Sequence, residues 1–163
     1  MSDKEGFIIY ENNALSLRED VYKRVLSGEK IYEHRKVFPD EPVKAYIYVS
    51  SPMKSICGIM YLSNKTSLTD WKEMYKDDSE CVKRIDEYLP HHKYGMEINR
   101  FENTNAISLE KLKKDLTKFI VSQMYYFIDN SELLDYLENN LNPDGIVVSH
   151  SFDNIRSDMI YRH

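Results

Sequence analysis

The chain has 163 residues, 42% of them hydrophobic, enough for one domain with a core of ordinary size. Its 22 basic and 27 acidic residues give a formal net charge of −5, which disfavours non-specific attraction to a phosphate backbone. Two cysteines, Cys57 and Cys81, form neither a disulfide framework nor a CxxC pair and point to a reducing compartment.

At the N-terminus, the only apolar stretch is Phe7 to Tyr10, too short for the core of a signal peptide. No segment approaches the roughly 20 apolar residues that span a bilayer. A soluble, cytoplasmic protein is therefore expected, with no membrane contact. Residues 1–13 read as an N-terminal extension.

Ala14 to Leu17 suits a first strand. Val21, Tyr22, Val25 and Leu26 then follow helical spacing, with acidic residues in the first turn and Gly28 past the end. Ser16 and Glu19 could instead form a capping box and end the strand early. "SGEKIYEHRK", residues 27–36, reads as a strand crowded with ionisable groups. "FPDEP" is a turn, and "VKAYIYVSSP" alternates Ala45, Ile47 and Val49 with Tyr46, Tyr48 and Ser50. "SICGIMYLS" is apolar on both faces, as in a central strand, and Gly58 within it predicts a bulge or a close backbone approach.

Residues 67–89 predict two short helices stopped by Pro90, and "KYGMEINRFEN" returns to strand character. Ser108 caps a helical turn over residues 108–116. Residues 119–128 predict a strand or a buried connection. "NSELLDYLENNL" is helical, "NPDG" is a turn, and "IVVSHSF" is a final strand. Residues 138–163 read as a C-terminal extension packed on the same domain, an added edge or a dimer contact. The pattern predicts an α+β domain built on a small mixed β-barrel with flanking helices, whose closure removes exposed edges.

Within the charged strand, alternation from Ile31 to Val37 puts Ile31, Glu33, Arg35 and Val37 on one face and Tyr32, His34 and Lys36 on the other. A carboxylate and a guanidinium on a partly buried face must pair or bind something to offset their lost hydration. An internal ion pair, a charge-protected edge and a ligand cleft all satisfy that requirement. Strand parity sets Lys30 apart; it reaches such a cleft only from the turn after Gly28 or through a bulge.

From about Leu15 to Tyr136, within a domain taken as 14–137, the chain resembles the ASCH family of PUA-like β-barrels. The resemblance is carried by "LSLREDVYKRVLSGEKIYEHRK", with Gly28, Lys30, Glu33 and Arg35 filling a G-x-K-x-x-E-x-R motif. "AYIYVSSPMKSICGIM", "YGMEI" and "VSQMYYF" carry it further, the last without the prolines usual before its Gln and aromatic positions. Related modules bind RNA and modified bases, which implies a cleft lined by Lys30, Glu33 and Arg35 that recognises RNA, a modified base or a nucleotide-like ligand. Arg35 offers a fork of donors and Glu33 an acceptor for an exocyclic amine.

Some small family members are amidohydrolases that remove the acyl group of N4-acetylcytidine with a lysine, a threonine nucleophile and a glutamate. Lys30 matches that lysine and is the catalytic candidate of this second reading, but Glu33 stands where the threonine falls. Ser16, Ser50 and Ser51 are the nearby hydroxyls, and Glu97 becomes a second cleft carboxylate if its face turns inward. No cofactor is implied. His91 and His92 read as a loop pair rather than metal ligands, since adjacent histidines point apart and no third ligand is spaced nearby.

Overall fold

The computed structural model describes residues 10–121 and 125–162. In chain order it contains β1 (Glu11–Leu17), α1 (Glu19–Leu26), β2 (Tyr32–Arg35), β3 (Val43–Val49) and β4 (Ser55–Ser67). Next come α2 (Leu68–Met74), α3 (Ser79–Tyr88), β5 (Tyr94–Ser108) and α4 (Leu109–Asp115). β6 (Tyr126–Phe127), α5 (Glu132–Asn140), β7 (Pro143–Ser149) and a 3-10 turn (Ser157–Met159) complete it. Residues 1–9 of the expected N-terminal extension lie outside the described residues, as does Gln123 of the "VSQMYYF" segment; Glu11 to Asn13 already belong to β1.

The strands run β2-β5-β4-β3-β1-β6, parallel between β1 and β3 and antiparallel elsewhere. This mixed sheet curls into a half-barrel with five helices around it, the α+β architecture expected. Full closure does not follow, because β6 contributes only Tyr126 and Phe127 to its ladder and β2 only four residues to the far edge. The long β5 carries two partners on one edge: β2 opposite Tyr94 to Glu97 and β7 opposite Arg100 to Thr104.

Alternation on β3 builds both layers. Val43, Ala45, Ile47 and Val49 join Leu15, Met60, Ile98 and Phe101 beneath Tyr22 and Val25 of α1. Tyr46 and Tyr48 take the other face, packed with Leu112 of α4 and Leu134 and Leu137 of α5. Both tyrosines are core residues. A third cluster joins Ile31, Tyr32, Leu68, Trp71, Cys81, Ile85 and Ile160 around α2 and α3.

Gly58 supplies both features its strand predicted. Ile47 pairs with Gly58 while Tyr48 pairs with Ile56, leaving Cys57 as the bulged residue. A Cβ on Gly58 would lie 2.2 Å from Phe101 Cζ, so only glycine lets the neighbouring strand's ring pack there. Helix starts follow the capping residues: Ser67, Asp78, Ser108 and Ser131 each accept a backbone N–H from the first turn. The Ser16–Glu19 capping box does not form; β1 runs to Leu17 and Arg18 is the N-cap, with no side-chain cap bond.

Two expectations change. The connection at residues 119–121 is not buried, since Ile120 and Val121 are exposed; the strand alternative is met only by Tyr126 and Phe127 of β6, and Ile128 is buried. Pro143 to Gly145, read as a turn, fall inside β7, where Gly145 has a positive φ of 94° and pairing with β5 is irregular.

Candidate functional site

The site begins at the end of α1. Gly28, at φ 84°, reverses the chain, and the Lys30 N–H donates back to the Arg24 carbonyl at 3.1 Å. Lys30 therefore belongs to the turn rather than to the strand, and the parity that set it apart does not govern it. The turn is the route by which its side chain reaches Glu33.

β2 then places Glu33 and Arg35 on one face, with Glu33 opposite Met96 of β5. Glu33 sits between two cations. Its Oε2 accepts from Arg35 Nε at 2.7 Å, and its Oε1 lies 3.8 Å from Lys30 Nζ. Arg35 Nη2 donates to the Ser16 carbonyl at 2.6 Å, which ties the pair to β1. Lys30 and Glu33 are each only 4% exposed. Lys30 and Glu33, both withdrawn from water, offset part of that cost through each other and through the part-buried Arg35. Burial pulls the Lys30 ammonium below the usual lysine range, against the opposing pull of Glu33.

A cleft of about 500 Å³ opens over this triad. Ser16, Lys30, Glu33, Arg35, Ser50 and His92 contribute to its walls, together with Val21, Tyr88 and Val121. Two buried polar atoms of these side chains have no hydrogen-bond partner among the described residues: Glu33 Oε1 and His92 Nδ1. Burial also lowers the His92 pKa, with Glu33 pulling the other way. Its ring is therefore neutral at physiological pH and offers one donor and one acceptor nitrogen.

The other predicted positions separate. Ser50 lines the cleft and donates its backbone N–H to the Leu17 carbonyl, whereas Ser51 is exposed on the neighbouring turn, before a cis proline. Glu97 pairs across from Tyr32, on the opposite sheet face from Glu33, and accepts from Asn64 Nδ2 at 2.9 Å. It is not a second cleft carboxylate. No group of three or more His, Cys, Asp or Glu side chains among the described residues could hold a metal.

Sequence reasoning missed His92 and Tyr88 as cleft residues. The signal for His92 was strand pairing: Lys93 N–H donates to the Arg35 carbonyl, so the residue just before β5 lies beside the end of β2. His34, on the other face of β2, donates from Nε2 to the Ile160 carbonyl at 2.6 Å. The tail's approach to this region had no periodic signature.

No family model matches the chain, and no curated protein matches it. Among solved structures, the ASCH protein of Zymomonas mobilis is similar with a TM-score of 0.64 and 19% identity, covering 82% of this chain and 97% of that one. A serine-to-alanine mutant of that protein gives a TM-score of 0.60 at 21% identity, covering 82% and 99%. No helix among the described residues is long and apolar enough to cross a membrane. Curled mixed sheet, flanking helices and matching neighbours together establish that this chain adopts the ASCH domain fold.

Proposed function

We propose that this protein is a cytoplasmic binding module that takes a nucleobase-bearing ligand, either an unpaired RNA base, a modified base or a nucleotide-like small molecule, in the cleft over Lys30, Glu33 and Arg35. The observation that carries this reading is Glu33 Oε1, a buried carboxylate oxygen beside two cations that has no hydrogen-bond partner among the described residues. A buried acceptor of this kind is costly unless a ligand or water donates to it, and an exocyclic amine on a planar base is a suitable donor.

The cleft's volume of about 500 Å³ lies within the range of small-molecule sites. The net charge of −5 argues for one recognised base rather than a long phosphate track. Both cysteines are free and buried, which suits a reducing compartment. A thermal-shift screen of nucleosides, acetylated and unmodified, tests the reading. Stabilisation that disappears in Glu33→Ala and Arg35→Ala supports it; identical responses in wild type and both variants refute it.

One observation favours a second reading, an amidohydrolase acting on an acylated nucleoside. Lys30 is a buried amine with a lowered pKa, and the Ser50 hydroxyl belongs to a residue on the same cleft. Acetate release from N4-acetylcytidine that stops in Lys30→Ala supports this activity. Release that persists in Lys30→Ala removes the lysine from it.

A further inference from the structure

Three consecutive backbone carbonyls near the C-terminus accept side chains from the cleft wall. The Ile160 carbonyl takes His34 Nε2 at 2.6 Å, the Tyr161 carbonyl takes the Tyr88 hydroxyl, and the Arg162 carbonyl takes Lys30 Nζ at 3.4 Å. The donors come from β2, from the end of α3 and from the turn before β2, yet all three residues border the same cleft. We propose that residues 152–162 form a positioning strap that holds Lys30 away from Glu33 and so keeps Glu33 Oε1 available to a ligand.

The strap is anchored independently of those carbonyls. Ile160 is completely buried among the side chains of α2 and α3. Ser157 Oγ donates at 2.5 Å to Asp78, the N-cap of α3, and the Phe152 ring meets Tyr32 edge-on at 5.3 Å. Arg162 is fixed by its bond to Asp158 at 2.8 Å and reaches the Glu29 carbonyl at 3.4 Å. This places its carbonyl beside Lys30.

The consequence follows from hydrogen-bond capacity. An ammonium that is 4% exposed must donate to protein groups. With the Arg162 carbonyl as acceptor, Lys30 stays 3.8 Å from Glu33 Oε1, beyond hydrogen-bond reach. Without the strap, Lys30 gains water and the freedom to close on Glu33, consuming the acceptor assigned to the ligand. A segment distant from the G-x-K-x-x-E-x-R motif thus sets the cleft's hydrogen-bonding pattern. This consequence for ligand selection rests on the binding reading above, whereas the position of Lys30 does not.

The test follows Lys30 acetylation by acetic anhydride in the full-length protein, resolved by peptide mass spectrometry without any ligand. Ile160→Ala removes the anchor, Tyr88→Phe removes one strap bond without opening a cavity, and Leu137→Ala opens a cavity in the core on the α4–α5 face of the sheet. The expected result is a rise of about tenfold in the Lys30 rate for Ile160→Ala and of several-fold for Tyr88→Phe, with Leu137→Ala unchanged. Equal rises in Leu137→Ala, or wild-type rates in both strap variants, overturn the strap. If Ile160→Ala does not fold, Tyr88→Phe alone decides by the same criterion. Because no ligand is present, failure here is distinguishable from failure of the cleft to bind a nucleobase.

Discussion

Replacing Glu33 by Gln removes the carboxylate between the buried Lys30 and the part-buried Arg35 while keeping the side chain's shape. Arg35 loses a charge-assisted bond of 2.7 Å, and Lys30 loses its counter-ion at 3.8 Å. Breaking a buried pair from one side costs about 3–5 kcal/mol, because the remaining charge is left uncompensated. Lys30 has an escape: shedding its proton at pH 7 costs about 4.6 kcal/mol relative to an unfolded lysine of pKa near 10.4, which caps the penalty. The expected loss is about 3–4 kcal/mol, with Tm falling by roughly 6–16 °C for a domain of this size.

Urea denaturation monitored by circular dichroism measures that loss, and its pH dependence identifies the cause. With Glu33 gone, nothing opposes the burial that already lowers the Lys30 pKa. Between that lowered value and about 10.4 the unfolded chain binds more protons, so stability rises with pH and the deficit shrinks toward pH 10. Adding Lys30→Met to Glu33→Gln should recover at least about 1 kcal/mol, since an apolar side chain needs no counter-ion. A loss below about 1 kcal/mol that is flat with pH would refute the buried triad.

Other parts of the molecule give independent checks. Gly58→Ala should cost about 1–3 kcal/mol through overpacking against Phe101, and Phe101→Leu in the same chain should relieve part of it. Ser131→Ala removes the acceptor of the Leu134 N–H at 3.1 Å and should cost about 1 kcal/mol in urea midpoint analysis, mostly by fraying α5. His92 and His150 both have pKa values lowered by burial from 6.5, so their contribution is complete above that pH and is lost as pH falls through the lowered values. Thermal scans should show Tm falling on acidification below about 6.5. His92→Gln should flatten part of the slope, and an unchanged slope would show that this imidazole is as accessible folded as unfolded.

What was legible in the sequence was local and periodic. Alternation on residues 43–49 assigned both faces of β3, and the spacing of Tyr22 and Val25 assigned the buried side of α1. Ser108 marked a helix start because a side-chain oxygen there serves an otherwise unpaired N–H. Parity also put Glu33 and Arg35 on one face. Parity set Lys30 apart because period two applies only within a strand, and the turn after Gly28, one of the two routes left open to it, is the one Lys30 takes. Glu97 showed the reverse: alternation turned it away from Met96 and Ile98, and the sheet keeps it on that other face with Asn64.

The remaining features of the site are non-local. His92 joins the cleft through the register of β2 against β5, 58 residues along the chain from His34, and no short motif encodes that pairing. The tail binds through backbone carbonyls, which every residue possesses, so its side chains carry no signature of what it holds. Ile160, with Phe152, Ile155 and Met159 scattered among polar residues, was the visible trace of its anchor.

The most direct test of the binding cleft is a 15N-resolved NMR titration of the full chain with cytidine, adenosine, uridine and guanosine, carried to millimolar concentration. The cleft reading predicts saturable shifts centred on Lys30, Glu33, Arg35, Ser50 and His92 for at least one amine-bearing nucleoside, abolished by Glu33→Ala. Absence of saturable shifts with all four, or shifts mapping to the opposite sheet face around Asn64 and Glu97, would contradict it.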